Sequence, residues 1–183
     1  MVNDPASGAL KPFTLDQVGQ QVPELQRFGY KLDVHSFSPL IDSSSTRPDF
    51  WMKLVSIIEM QYSNYDGFVI LHGTDTMSFT ASALSFMLEG LDKPVILTGS
   101  QLPFGEVRTA ARENLVTAVE IAAAKENGKA MVPEVSVFFD YKLMRGNRTT
   151  KFSASRYEAF QSPNYTVLAE AGVHIRYNQS AIR

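Results

Sequence analysis

Gly67-Phe68-Val69-Ile70-Leu71-His72-Gly73-Thr74-Asp75-Thr76 is the stretch whose reading decides the fold. Its first half is a short, continuous, branched apolar run, the pattern of a strand covered on both faces, and its second half turns at once to small and hydroxylated residues. Beyond it, Ser78 to Glu89 places Phe79, Ala83, Phe86 and Met87 at helical spacing and stops at Gly90, after which Pro94-Val95-Ile96-Leu97-Thr98 repeats the buried-strand pattern. That is one complete βαβ unit.

Further out the alternation continues. Thr46 and Pro48 open a helix whose apolar positions run from Phe50 to Ile58 and which ends by Asn64. Thr109 to Glu126 is an Ala-rich helix closed by Asn127-Gly128, and Val135-Ser136-Val137-Phe138-Phe139 is a third buried strand. Tyr30 to Phe37 alternates apolar with polar and predicts a half-buried strand, and a last strand is expected near Val173 to Tyr177. Met1 to Gly29 reads as a long loop with one short helix, and Asp140 to Lys151 as a basic loop. Strands alternating with helices predict a single α/β domain over residues 1–183: a doubly wound, mainly parallel sheet with helices on both faces.

The 183 residues carry 17 Lys+Arg against 19 Asp+Glu and no Cys, which fits one globular domain and excludes disulfides and thiolate chemistry. A net charge of -2 supplies no broad cationic field, so nucleic acid is a poor partner and a small neutral or zwitterionic ligand a better one. No apolar run approaches the ~20 residues needed to cross a bilayer.

In sheets of this class ligands bind outside the carboxyl ends of the strands. Two such loops, Gly73-Thr74-Asp75-Thr76 and Thr98-Gly99-Ser100-Gln101, are built of small, hydroxyl or amide residues and are expected to line one site. Gly73 lets a ligand approach the backbone, Thr74 offers a hydroxyl and Asp75 a carboxylate before a helix N-terminus. Helix capping accounts for Thr74, Asp75 and Thr76 equally well. Asp42-Ser43-Ser44-Ser45 also follows a predicted strand, where hydroxyls and backbone N–H groups suit a carboxylate, although a turn and N-cap cluster has the same composition. In Arg145-Gly146-Asn147-Arg148-Thr149-Thr150-Lys151 a lysine drawn beside Thr74 and Asp75 is able to accept a hydroxyl proton, but charge density does not separate Lys151 from Arg148. The phosphate-loop, dinucleotide and nucleophile-elbow motifs are absent, and His35, His72 and His174 lack metal-ligand spacing.

At these loops the sequence closely resembles the bacterial type I (cytoplasmic) L-asparaginases. Tyr65 to Met77 and Lys93 to Gln101 carry the likeness, with Asp42-Ser43-Ser44 and Arg145 to Lys151 matching in the same order. The resemblance implies hydrolysis of the side-chain amide of L-asparagine to L-aspartate and ammonia in the cytoplasm, without cofactor or metal. A Thr hydroxyl attacks to form an acyl-enzyme, and a second Thr, an Asp and a Lys form a relay; these last fall on Thr74, Asp75 and Lys151. By the same match Ser43 and Ser44, with Ser45 beside them, hold the substrate α-carboxylate, Asp75 also receives the α-amino group, and the Ser100 backbone borders the amide.

The family's Thr-Gly-Gly-Thr segment, whose second Thr is the nucleophile, does not occur in this chain. By the resemblance Met1 falls just after it, residues 1–29 are the mobile active-site loop region, and Arg183 lies near the hand-over to a C-terminal domain that is absent. Such sites form between the N-terminal domain of one subunit and the C-terminal domain of its partner, so a homodimer or homotetramer is expected, and this chain alone is expected to be inactive. Three other readings stand beside this one: a non-catalytic amino-acid-binding domain, the asparaginase-like subunit of a tRNA-dependent amidotransferase, and a generic nucleotide-binding domain.

Overall fold

The computed structural model describes residues 22–38, 41–102 and 109–182, together with the backbone of Val2–Asn3 and Leu10–Lys11, which pair antiparallel. Most of the 1–29 region read as an active-site loop therefore lies outside the described residues. Its end is anchored: Val22 and Leu25 are buried against Leu115 and Val119, and Glu24–Arg27 forms a short helix, α1.

The three apolar runs form the expected parallel strands, β1 (Phe68–Leu71), β2 (Val95–Thr98) and β3 (Val135–Phe139). β2 and β3 are buried, whereas β1, expected to be covered on both faces, is the edge of the sheet among the described residues and only half-buried, with Leu71 exposed. Leu71 lies beside Thr98 and Leu97 beside Val137, so the three strands end at one level. Crossing between them are α2 (Pro48–Gln61), which enters β1, α3 (Met77–Met87) and α4 (Ala111–Ala123). Successive strand residues point to opposite faces. Val95, Leu97, Val137 and Phe139 meet Phe50 and Leu54 of α2 and Leu84 of α3 on one face. Ile96 and Phe138 meet Ala118, Ile121 and Ala122 of α4 on the other. This is the doubly wound arrangement, with a core on each side of the sheet.

Four local expectations change. Asp140 to Lys151 is not one loop: Lys142–Arg145 is a strand, β4, antiparallel to β3. Asp140 and Tyr141 both have positive φ, 48° and 64°, and make a two-residue hairpin turn that lacks the usual Asn-Gly signature. Beyond β4 the sheet continues antiparallel through β5 (Ala169–Ala171) and β6 (Ile175–Tyr177), giving the order β6-β5-β4-β3-β2-β1.

Tyr30 to Phe37 alternates as a strand should, yet it joins no ladder among the described residues. It is tethered instead by its side chains: Tyr65 Oη donates to Asp33 Oδ2 at 2.9 Å, and the Phe37 ring packs edge-on to Phe50. Alternation describes a half-buried surface, but a strand also needs a neighbour for its N–H and C=O groups.

In α3 the buried residues are Met77, Ser78, Thr80, Ala81 and Leu84, whereas Phe79 and Phe86 are 65% and 71% exposed. The bulky residues that betray the helix are thus on its outer face, and the inner face is small because α3 packs closely. Gly146, just after β4, sits on Ala81 O and Ser85 Oγ with no room for a Cβ. Finally, the fourth helix stops at Ala123, because Asn127-Gly128, with φ of 51° and 79°, turns a small hairpin between Lys125–Glu126 and Lys129–Ala130.

The end of the described chain is tied down by a buried ion pair. Arg145 donates from Nε to Glu134 Oε2 at 2.5 Å and from Nη2 to Ala181 O at 2.8 Å, beneath the ring of Tyr165. Replacing Arg145 by Met removes both of its bonds to the largely buried Glu134 carboxylate and the bond to Ala181 O, and is expected to lower stability by about 3 kcal/mol. A lower urea midpoint with an unchanged slope is the expected reading; an unchanged midpoint contradicts it.

Candidate active site

The loops after β1 and β2 leave the sheet side by side, and their small residues let them touch. A Cβ on Gly99 would strike His72 O and Met77 Cε, and a Cβ on Gly73 would strike the Ser43 side chain. Glycine at both positions is a requirement of close approach. The Gly99 carbonyl is held from below by Asn114 Nδ2 of α4 at 2.8 Å.

Lys151 arrives from the far side of the sheet. After β4 the chain returns along α3 through a 3-10 turn at Gly146–Arg148, with Thr149 Oγ1 bonded to Arg145 O at 2.7 Å. Thr150–Lys151 then pairs with Phe160–Gln161. This delivers Lys151 Nζ to 2.9 Å from Thr74 Oγ1 and 2.9 Å from Asp75 Oδ1. The Lys151 side chain is 15% exposed and that of Asp75 63%, so the ammonium is enclosed while its carboxylate partner faces solvent. Arg148 is exposed and outside the group, and Arg145 is committed to Glu134. The ambiguity between Lys151 and Arg148 is resolved by the path of the chain.

Thr74 Oγ1 accepts from Lys151 and donates its own proton to Gln101 Oε1 at 2.8 Å. Gln101 Nε2 in turn donates to Ser153 O and Arg156 O, both at 3.3 Å, which fixes the amide with its oxygen toward Thr74. Gln101 was legible only as a loop residue; nothing in sequence spacing marks its amide as the partner of a hydroxyl.

Capping does not explain the first loop. Thr76 is the N-cap of α3, but its hydroxyl donates to Ser43 O at 2.6 Å instead of bonding the helix, and Thr74 and Asp75 turn toward Lys151. The serine segment is a 3-10 turn, Ser43–Ser45, capped by Asp42, whose carboxylate accepts from Ser44 N at 2.9 Å. That bond holds the Asp42 carboxyl below its ordinary value. Ser43 lies against Gly73, and Ser44 and Ser45 are exposed. Here the turn reading holds, and Ser43 is the serine brought to the loop. The Ser100 hydroxyl bonds Leu102 O and Thr109 Oγ1, so its side chain is not gathered around Thr74. Among the described residues no cluster of three His, Cys, Asp or Glu is placed to hold a metal ion, and no helix is long and apolar enough to cross a membrane.

The whole chain, residues 1–183, matches the family described as asparaginase, N-terminal. The chain belongs to that family. It is 51% identical over 154 residues to L-asparaginase 1 of Escherichia coli strain K12, an alignment covering 84% of this chain and 43% of the relative. It is 48% identical over 145 residues to the 60 kDa lysophospholipase of Mus musculus, covering 79% of the chain and 25% of that protein. It is 37% identical over 175 residues to a glutamyl-tRNA(Gln) amidotransferase subunit of Methanopyrus kandleri, covering 93% and 38%. Among solved structures, L-asparaginase I of Vibrio cholerae superposes with a TM-score of 0.81 at 44% identity, covering 93% of this chain and 51% of that one. The chain thus spans less than half the length of these curated relatives. The match across residues 1–183 agrees with the α/β fold of the asparaginase N-terminal domain.

Behind the first loop, His72 donates from Nδ1 to Gly73 O at 2.7 Å, and its Nε2 faces Thr80 Oγ1 at 2.9 Å. Burial, opposed by the bond to Gly73, pushes the imidazole below its ordinary value. The unfolded chain therefore takes up this proton first as pH falls. The stability that neutral His72 contributes is fully present above about pH 6.5 and is lost as pH drops below it. Urea unfolding of the wild type is expected to show this loss, and His72→Gln to lack it; equal slopes in both would contradict the assignment.

Proposed function

We propose that this chain is the N-terminal domain of an L-asparaginase, which hydrolyses the side-chain amide of L-asparagine to L-aspartate and ammonia without cofactor or metal. The observation that carries this reading is Lys151 Nζ at 2.9 Å from both Thr74 Oγ1 and Asp75 Oδ1. A hydroxyl or water that must lose a proton needs a basic group reached through direct hydrogen bonds, and an enclosed amine beside a second hydroxyl meets that need. As found, Lys151 donates to Thr74 Oγ1 and Thr74 donates to Gln101 Oε1, so once Lys151 has given up a proton Thr74 turns its own from Gln101 to the amine while taking that of the attacking group. The reverse transfer protonates the leaving nitrogen. Gln101 orients the Thr74 hydroxyl between these two events.

In the same reading Asp75, open to solvent on one side, takes the substrate α-ammonium, and Ser43, Ser44 and Ser45 take the α-carboxylate through their hydroxyls, the backbone N–H groups of Ser44 and Ser45 being bonded to Asp42. Gly73 gives the ligand room, and the Ser100 backbone borders the amide. The chain has no Thr-Gly-Gly-Thr segment, so the attacking hydroxyl is taken from outside these 183 residues. Residues 1–29 supply the active-site loop region that follows it, residues 1–183 are one domain, and the partner protomer of a cytoplasmic homodimer or homotetramer completes the site. The likeness to a glutamyl-tRNA(Gln) amidotransferase subunit supports a second reading, which an accessory domain preceding this one in the full protein would favour.

In the full-length protein, Lys151→Ala and Asp75→Ala are each expected to lower kcat for ammonia release from L-asparagine by a factor of about 10² or more. Turnover unchanged in a folded variant removes the role assigned to that residue. The 183-residue chain alone, folded by circular dichroism, is expected to release no ammonia. Fatty-acid release from a lysophospholipid by a full-length protein that leaves L-asparagine untouched would replace this reading.

A further inference from the structure

The hydrogen bonds behind Gly73 run in one direction. An indole N–H can only donate, and Trp51 Nε1 gives its proton to Thr80 Oγ1 at 3.0 Å. Having accepted from Trp51, the Thr80 hydroxyl is able to give its own proton to His72 Nε2 at 2.9 Å. Nδ1 donates to Gly73 O, an oxygen that can only accept, at 2.7 Å. The order Trp51, Thr80, His72, Gly73 satisfies every donor once with a neutral imidazole, the form that burial favours. The histidine itself is held on two further sides: its backbone N–H donates to Thr98 O at 2.9 Å, and the Phe50 ring lies 6.1 Å from the imidazole.

The far end of this chain meets the weakest point of the site. Gly73 has to be glycine because any Cβ would collide with Ser43. The same lack of a Cβ leaves the Gly73–Thr74 peptide free to rotate, and that peptide directs Thr74 toward Lys151 and Gln101. A bond on the Gly73 carbonyl removes the freedom that the glycine introduces.

We propose that Trp51, Thr80 and His72 are positioning residues, whose one-way hydrogen-bond chain sets the Gly73–Thr74 peptide and so aims Thr74 and Asp75 at Lys151. None of the three touches the reacting atoms. The inference rests on the reading of Thr74, Asp75 and Lys151 as the proton relay, and its test separates the two.

Thr80 is fully buried, and Thr80→Val keeps its shape while removing the hydroxyl; Thr80→Ser keeps the hydroxyl and removes the methyl. In the full-length protein Thr80→Val is expected to lower kcat for ammonia release about 10- to 100-fold with KM nearly unchanged, since a displacement of about 1 Å at the reacting groups costs that much. Thr80→Ser is expected to restore the rate to within about threefold. On the 183-residue chain, proton–nitrogen correlation NMR of the imidazole reads the relay without turnover: the Nδ1–H tautomer in wild type and Thr80→Ser, and mixed tautomers in Thr80→Val. The Nε2–H tautomer in the wild type overturns the proposal. So does a Thr80→Val enzyme of unchanged kcat, or equal loss in Val and Ser variants, which marks a packing role. A wild-type enzyme without asparaginase turnover overturns the functional reading instead, and the tautomer alone then decides the relay.

Discussion

Three parallel strands that stop at one level are the constraint on which the site depends. Phe68 pairs with Val95 and Leu71 with Thr98, and Leu97 pairs with Val137, so the loops leaving β1 and β2 emerge within touching distance. A slip of one residue would turn Val95, Leu97, Val135 and Val137 from the face of α2 and α3 to that of α4, which both cores resist. The register is therefore held by two packed faces at once, and the loops inherit their rigidity from it. Thr98 shows the coupling directly: buried in the strand, it donates from Oγ1 to Phe138 O and offers its carbonyl to His72 N.

A second constraint follows from bringing a cation to this end of the sheet. β4 carries the chain away from the site, and the return along α3 is feasible because that helix presents Ala81 and Ser85 where Gly146 must pass. The small inner face of α3, its exposed Phe79 and Phe86, and the enclosure of Lys151 are consequences of one packing arrangement. Energetically the contact between Lys151 and Asp75 is half-exposed and contributes little as an ion pair. Its value is geometric, since it holds an amine against a hydroxyl.

The site also shows how a close approach is offset nearby. Glycine at position 73 admits Ser43 but surrenders control of the peptide, and a buried histidine beside it supplies a hydrogen bond to the freed carbonyl. Gln101 does the same for the Thr74 hydroxyl, locked by two backbone carbonyls from a segment about fifty residues away in sequence.

Much of this is legible in the sequence. Branched apolar runs at 94–98 and 135–139 marked the parallel core, because a strand covered on both faces has no polar side to show; the run at 67–71 marked its strand too, but that strand is half-buried at the sheet edge among the described residues. The punctuation at Pro48 and Gly90 located two of the helices, while Asn127-Gly128 proved to turn a hairpin beyond the end of a third, and the composition of the loops pointed to Gly73, Thr74 and Asp75. What sequence alone left open were matters of distant contact. The turn at Asp140-Tyr141 is stabilised by the pairing of the strands it joins, not by its own residue types. Tyr30 to Phe37 has the pattern of a strand, but a ladder requires a partner that pattern cannot supply. The inner face of α3 is chosen by the neighbour it must accommodate. Lys151 was separated from Arg148, and Gln101 found, only when the chain's path placed them 2.9 Å and 2.8 Å from one hydroxyl. Periodicity records which side of a segment is buried; which groups meet across 77 and 27 residues is settled by packing of the whole domain.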